Sequence, residues 1–92
     1  MKIIWSAEAE KTYFKTLEFI FNNWNIKTVE SFEEKVFHVL DLISKNNKLF
    51  PASKKKSIYK AVISKQTSVI YSISKNEITL LYFIDNRSDH QY

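Results

Sequence analysis

Three runs of β-branched and aromatic residues dominate the second half of the chain. They span 58–63, 68–74 and 78–84, and the polar breaks at 65–67 and 75–77 separate them. This spacing suits two tight hairpins, so the pattern predicts a three-stranded antiparallel meander. The first two runs alternate apolar and polar side chains, as strands do when one face is buried and the other is solvated.

The third run is apolar on both sides, which indicates a strand inside the sheet with cover on each face. Regular alternation would place two sets of side chains on opposite faces: Ile78, Leu80, Tyr82 and Ile84 against Leu81 and Phe83. The chain has no glycine, so both turns must use other residues. Asn76 is the best candidate for a left-handed turn conformation.

The first half predicts a short strand followed by a helix. Lys2–Trp5 is a β-type run, and Ser6 after it is a good N-cap, with Glu8 and Glu10 in the first turn. An apolar stripe at helical intervals follows, formed by Ala9, Tyr13, Leu17, Ile20 and Trp24. A helix is therefore expected from Ser6 to the asparagine-rich segment 22–25.

A second amphipathic helix follows almost at once, with Asn25 or Thr28 as its cap. One face of this helix carries Val29, Phe32, Val36, Leu40 and Ile43. Two helices with so short a connection form an antiparallel hairpin, and their shared apolar side can cover one face of the meander. The predicted fold class is α+β: a short N-terminal strand, an antiparallel two-helix hairpin, and a mainly antiparallel sheet ending in the three-stranded meander.

Length and composition limit the possible classes of protein. Ninety-two residues suit one small domain covering 1–92, and the aromatic share of 15% supplies a core of modest size. The chain has no cysteine and no apolar run of the roughly 20 residues that span a bilayer, so we expect a soluble, cytoplasmic protein. The net charge of +4 favours an acidic partner, either nucleic acid or protein.

Several common chemistries find no support in the sequence. A phosphate-cradling loop needs glycine, which is absent. The two histidines, His38 and His90, lie far apart and lack a spaced carboxylate partner, so neither a metal nor another cofactor is expected. His38 falls on the polar side of the second helix and is interpreted as a solvated surface residue.

Arg87 is the single arginine among fourteen basic residues and follows the last predicted strand. Its planar guanidinium could bind phosphate or carboxylate in a bidentate manner that lysine cannot reproduce. Alternatively, it pairs with Asp85 or Asp89 at the strand end. Composition alone leaves both interpretations open.

An ordered set of segments resembles the RelE/ParE superfamily of bacterial type II toxin–antitoxin toxins, and its ParE branch more than its RelE branch. The segments are I-I-W-S-A-E-A at 3–9, N-N-K-L-F-P at 46–51, Y-K-A-V-I-S-K at 59–65, S-V-I-Y-S-I at 68–73 and L-L-Y-F-I-D-N-R-S-D at 80–89. Together they cover much of the chain. The resemblance implies a toxin of a plasmid-stabilisation-like system that a cognate antitoxin binds and neutralises.

The ParE branch implies a toxin that binds its target, typically DNA gyrase, without chemistry. The target-binding surface would then be Arg87 with Lys54, Lys55 and Lys56. The RelE branch instead implies ribosome-dependent mRNA cleavage. The catalytic roles would then fall on Arg87, Lys65, His90 and Tyr92, with further cations from Lys54 and Lys56. Whether the chain is an enzyme is left open, and a non-toxic module that binds nucleic acid or antitoxin is a third possibility.

Three apolar residues lie off the main helical stripes: Phe19, Phe37 and Leu42. Exposed apolar side chains at these positions would suit an amphipathic antitoxin segment lying along the helix hairpin or the sheet edge. Wider apolar stripes, with the three side chains in the core, would explain the same positions.

Overall fold

The computed structural model describes residues 1–46 and 57–87. Within these ranges the element order is β1 (Lys2–Trp5), α1 (Ala7–Asn23), α2 (Ile26–Lys45), β2 (Ile58–Val62), β3 (Thr67–Ser74) and β4 (Glu77–Asp85). The four strands form one sheet in the order β1-β4-β3-β2. β1 runs parallel to β4 and the other neighbours are antiparallel. The α+β class and the C-terminal meander are therefore confirmed.

Both helices begin where a polar side chain caps them. The Ser6 Oγ accepts a hydrogen bond from the Ala9 backbone N at 3.0 Å, and the Asn25 Oδ1 accepts one from Thr28 N at 2.9 Å. Asn25 is therefore the cap of α2. α1 ends at Asn23, so Trp24 lies beyond it and is 53% exposed. Assigning Trp24 to the buried stripe was wrong, because the helical period stops before that position.

The core lies between the helices and one face of the sheet. All five residues of the predicted α2 stripe are buried, from Val29 to Ile43. α1 contributes Ala9 and Tyr13 to the same core, and Tyr13 meets Trp5 of β1 edge to face at 5.2 Å. The sheet side supplies Ala61, Ile63, Val69, Tyr71, Ile78, Leu80 and Phe83. Each large apolar side chain buried in this way stabilises the fold by about 1.5–3 kcal/mol.

A β-bulge in β4 changes which side chains face the helices. Tyr71 pairs with Leu80, but Ile70 pairs with Tyr82, so Leu81 is the additional residue. Phe83 therefore joins Leu80 in the core, whereas Tyr82 lies opposite Ile70. The predicted regular alternation was wrong beyond Leu80, because one inserted residue moves every later side chain to the other face.

The far face of the sheet is also covered at its centre, as the apolar third run predicted. Ile70 and Ser68 have no exposed surface, and Ile84 is 8% exposed, although none of the three belongs to the core beneath the helices. Ser68 is buried although it is polar. Its hydroxyl donates a hydrogen bond to Asn86 Oδ1 at 2.6 Å, which compensates for the burial.

Ser6, the N-cap of α1, and Thr12 within α1 form hydrogen bonds with the backbone of β4 beyond the end of β1. Ser6 donates from its backbone N to Leu80 O at 3.1 Å and from its hydroxyl to Leu81 O at 2.9 Å. The Thr12 Oγ1 accepts a hydrogen bond from Phe83 N at 2.8 Å. These bonds fix α1 against the bulge, and so set the distance between the helix and the end of β4.

Candidate functional site

The exposed end of β4 lies beside the turn that joins β2 to β3, and Asn86 holds the two together. Its backbone N donates to Gln66 O at 2.7 Å, and its Nδ2 donates to Ser64 O at 3.2 Å and Lys65 O at 3.3 Å. Its Oδ1 accepts from the buried Ser68 hydroxyl. We call the surface formed by 64–66 and 85–87 the basic rim.

Arg87 lies on the basic rim with 56% of its side chain exposed. Its Nε contacts Asp85 Oδ1 at 3.0 Å, and its Nη2 contacts Asp85 Oδ2 at 2.8 Å. The Arg87 backbone N also donates to Asp85 Oδ1 at 2.8 Å. The hydrogen bonds and the charge of Asp85 raise the pKa of Arg87 above its ordinary value. The carboxylate thus fixes the direction of the guanidinium while leaving it open to solvent.

The sequence left two interpretations of Arg87 open, a pairing with a nearby aspartate and a guanidinium that can bind a partner, and the structure is compatible with both. The pairing with Asp85 is present, and the guanidinium is accessible as well. Lys65 is exposed and lies at the same rim, where its backbone carbonyl accepts a hydrogen bond from Asn86, the residue next to Arg87. The remaining predicted site residues, Lys54, Lys55, Lys56, His90 and Tyr92, lie outside the described residues.

A groove separates the basic rim from α1. One part, of about 280 Å³, runs from Asp85 and Arg87 past Phe19 and Ile20. A second part, of about 220 Å³, shares Ile20 and Gln66 with the first and continues to Trp24. The cationic side chains that line the two parts are Lys15, Lys35, Lys65 and Arg87. The groove thus combines an apolar floor with basic edges.

The three apolar residues predicted off the helical stripes do not form one surface. Phe19 is 45% exposed and lines the groove beside Arg87. Phe37 is 59% exposed and lines a separate pocket with Phe14 on the other side of α1. Leu42 is half-buried on α2. The two phenylalanines are thus available to another chain, at different places.

Metal-ligating side chains do not form a cluster within the described residues. In residues 1–46 and 57–87, no group of three or more His, Asp or Glu side chains could hold a metal ion. His38 is exposed, as its position on the polar side of α2 predicted.

Neither helix of the described chain is long and apolar enough to cross a membrane.

The sequence interpretation missed Asn86. An asparagine between Asp85 and Arg87 resembles an ordinary turn residue, and its partners lie about twenty positions earlier in the chain. The available signal was Ser68, a polar residue near the start of β3, which needs a polar partner once it is covered. Pairing the first residues of β3 with the end of β4 would have placed Asn86 close to that serine.

Solved structures show which fold this chain shares with known proteins. No protein-family model and no curated protein matches the sequence. Among solved structures, the chromosomal ParDE toxin–antitoxin system from P. aeruginosa matches with a TM-score of 0.77 at 8% identity, covering 92% of this chain and 95% of that chain. A YoeB/ParE toxin from Agrobacterium tumefaciens matches with a TM-score of 0.68 at 12% identity, covering 94% and 99%.

A third match includes an antitoxin. The heterotetrameric YoeB–YefM toxin–antitoxin complex from Staphylococcus aureus contains a chain with a TM-score of 0.57 and 19% identity, covering 91% of this chain and 94% of that one. At these identities the likeness concerns the arrangement of the backbone, and it extends over nearly the full length of each chain. The chain has the fold of the RelE/ParE superfamily.

Proposed function

We propose that this chain is the toxin of a type II toxin–antitoxin system and that it acts by binding its target, as ParE-like toxins do. The full-length likeness to toxins of ParDE and YoeB systems supports the first part. The exposed, directionally fixed guanidinium of Arg87 is the observation that carries the second part. DNA gyrase is the target that the ParE branch suggests.

The pairing with Asp85 favours binding over catalysis. A cation that stabilises the developing charge of a phosphoryl transition state acts through its electric field, and an adjacent carboxylate cancels much of that field. A binding contact needs direction and exposed donors instead. Arg87 donates to Asp85 from Nε and Nη2. Its Nη1 can therefore donate a hydrogen bond to a carboxylate or carbonyl group of a partner.

One observation supports ribosome-dependent mRNA cleavage as the second candidate. Asn86 holds the Lys65 turn beside Arg87, so two cations share the basic rim. Two cations on one surface suit the scissile phosphate of an RNA substrate. The acid and base would come from His90 and Tyr92, which lie outside the described residues.

Two assays distinguish these candidates. The purified chain is added to DNA gyrase in a supercoiling assay, and mRNA 5′ ends are sequenced after induced expression in bacteria. The proposal predicts inhibition of supercoiling, loss of that inhibition in Arg87→Ala, and no cuts positioned by codons. Lys11→Ala, which changes an exposed lysine on α1 away from the rim, is the matched control and should inhibit like the wild type. Codon-positioned cuts with unaffected gyrase would replace the proposal by the second candidate.

The proposed antitoxin would place an acidic amphipathic segment in the groove beside the basic rim. Phe19 and Ile20 would contact its apolar side chains, and the lysines on the groove edges would meet its carboxylates. Co-expression with the product of the adjacent reading frame should yield a stable complex. In that complex Phe19→Ala should weaken binding, whereas Phe21→Ala, at another exposed phenylalanine of α1, should not. Recovery of the free chain alone would contradict the assignment.

A further inference from the structure

A second pocket lies on the helix hairpin, on the opposite flank of α1 from the groove. Its volume is about 480 Å³, and it is lined by Trp5, Glu10, Tyr13, Phe14, Glu33 and Phe37. We call it the hairpin pocket. It shares no lining residue with the groove beside Arg87, so the two surfaces can act independently.

Four aromatic rings form the apolar part of the hairpin pocket. Tyr13 lies at its base, with ring centroids 5.2 Å from Trp5 and 5.7 Å from Phe14, both edge to face. Phe14 and Phe37 are 63% and 59% exposed. Two phenylalanines this exposed on one small surface leave a large apolar area in water, which the burial of a partner would remove.

Two carboxylates, Glu10 and Glu33, lie among these rings. Glu33 is positioned by the Tyr13 hydroxyl, which donates to its Oε2 at 3.0 Å. Burial, and after it this hydrogen bond, raises the pKa of Tyr13, so the tyrosine remains a neutral donor. Among the described residues, Lys45 pairs with Asp41 and Arg87 pairs with Asp85. Neither Glu10 nor Glu33 takes part in these two ion pairs.

We infer that the hairpin pocket binds an arginine side chain of a partner polypeptide. A planar guanidinium can stack on aromatic faces and donate to two carboxylates at once, which matches the four rings and two glutamates that line the pocket. An apolar side chain would bury the glutamates without a partner, and an acidic one would be repelled. The exposed ring surfaces of Phe14 and Phe37 would be covered by apolar residues on either side of the arginine. The occupant is therefore a polypeptide segment and not a free arginine. This inference does not depend on the identity of the toxin's target.

Titration with two capped peptides tests the inference by NMR. One peptide carries a single arginine between leucines, and the matched peptide carries neutral citrulline in its place. Binding of the arginine peptide should shift the Trp5 indole signal and the ring signals of Phe14 and Phe37. The citrulline peptide should bind at least about tenfold more weakly, because it loses the charge-assisted hydrogen bonds.

Variants of the chain identify the pocket as the binding site. Glu33→Gln, which keeps an oxygen for the Tyr13 hydroxyl, and Phe37→Ala should each weaken the arginine peptide by about tenfold or more. Glu18→Gln and Phe21→Ala change exposed residues of the same types outside the pocket and should leave binding unchanged. Arg87→Ala should leave it unchanged as well, which separates this surface from the groove.

Several outcomes would overturn the inference. Equal affinity for the two peptides would show that the guanidinium charge is not recognised. The absence of shifts up to about 1 mM peptide, or shifts confined to the Arg87 groove, would remove the pocket as a binding site. Concentration-dependent shifts of Phe14 and Phe37 in the chain alone would assign the pocket to a second copy.

Discussion

Asn86 makes four hydrogen bonds, and all of them join the end of β4 to residues 64–68. Through them it aligns the turn that carries Lys65 with the strand end that carries Arg87. It also satisfies the hydroxyl of Ser68, which has no exposed surface. The positions of the two cations on the basic rim therefore depend on one neutral side chain that contacts neither of their charged groups.

Replacing Asn86 by alanine should lower the free energy of unfolding by about 1–3 kcal/mol, because a buried hydroxyl and two carbonyls lose their partner. Urea unfolding followed by circular dichroism measures this change. Asn76→Ala, at an exposed turn position, is the control and should remain within about 0.5 kcal/mol of the wild type. Equal stability of the Asn86 and Asn76 variants would show that the rim does not depend on these bonds.

At the scale of single residues, the sequence predicted the roles of residues whose partners lie close to them along the chain. Ser6 and Asn25 cap backbone groups three positions later, so their roles can be predicted from local pattern alone. The partners of Asn86 and Thr12 are distant in sequence, 18 to 22 and 71 positions away. Periodicity contains no information about such contacts, and both residues were missed for that reason.

Among the elements, the turn between β3 and β4 shows how backbone geometry departs from residue preference. Ser74 pairs with Glu77, which leaves a turn of two residues, and Lys75 is the one with positive φ, at 55°. The prediction that Asn76 takes this conformation was wrong. The pairing of the flanking strands decides which turn position is left-handed, and this pairing places lysine there.

Lys75→Gly should therefore raise the free energy of unfolding by about 1 kcal/mol, since glycine has no Cβ to oppose positive φ. Asn76→Gly provides the comparison at the neighbouring position and should bring no such gain. Thermal and urea unfolding of the two variants measure the difference. A larger gain at position 76 than at 75 would contradict the observed turn geometry.

The positions of the strands could be predicted from the sequence, but the face on which each side chain of β4 lies could not. The three runs of the meander correspond to β2, β3 and β4 to within one residue at each end. The bulge at Leu81 was not visible, because an apolar residue on either face fits a strand covered on both sides. The parallel pairing of β1 with β4 also depends on the whole topology and not on the four residues of β1.

Over the whole molecule, the helix layer has an excess of acidic residues although the chain carries a net charge of +4. Seven of the ten acidic residues and five of the fourteen basic residues lie on α1 and α2. The hairpin pocket is on the acidic layer, and the basic rim is at the sheet end. Two partners of opposite charge could therefore bind at the same time, an acidic segment in the groove and an arginine-bearing segment on the hairpin.

The core also makes the fold sensitive to alkaline pH. Burial, with a smaller contribution from Tyr59, raises the pKa of Tyr71 to about 12 from 10.0. The folded state then holds this proton more tightly than the unfolded state, so the stabilisation is complete below pH 10 and is lost as the pH rises towards 12. Urea unfolding at increasing pH should show this fall, and Tyr71→Phe should reduce it. An equal fall in both proteins would contradict the burial of Tyr71.

The growth of bacteria expressing the chain tests the central role of Arg87 most directly. Arg87→Ala should abolish growth arrest, and its urea midpoint should match the wild type because an exposed strand-end arginine contributes little to stability. Lys11→Ala, produced at the same level, should arrest growth as the wild type does. If folded Arg87→Ala arrests growth as strongly as the wild type, the basic rim is not the surface through which this protein acts.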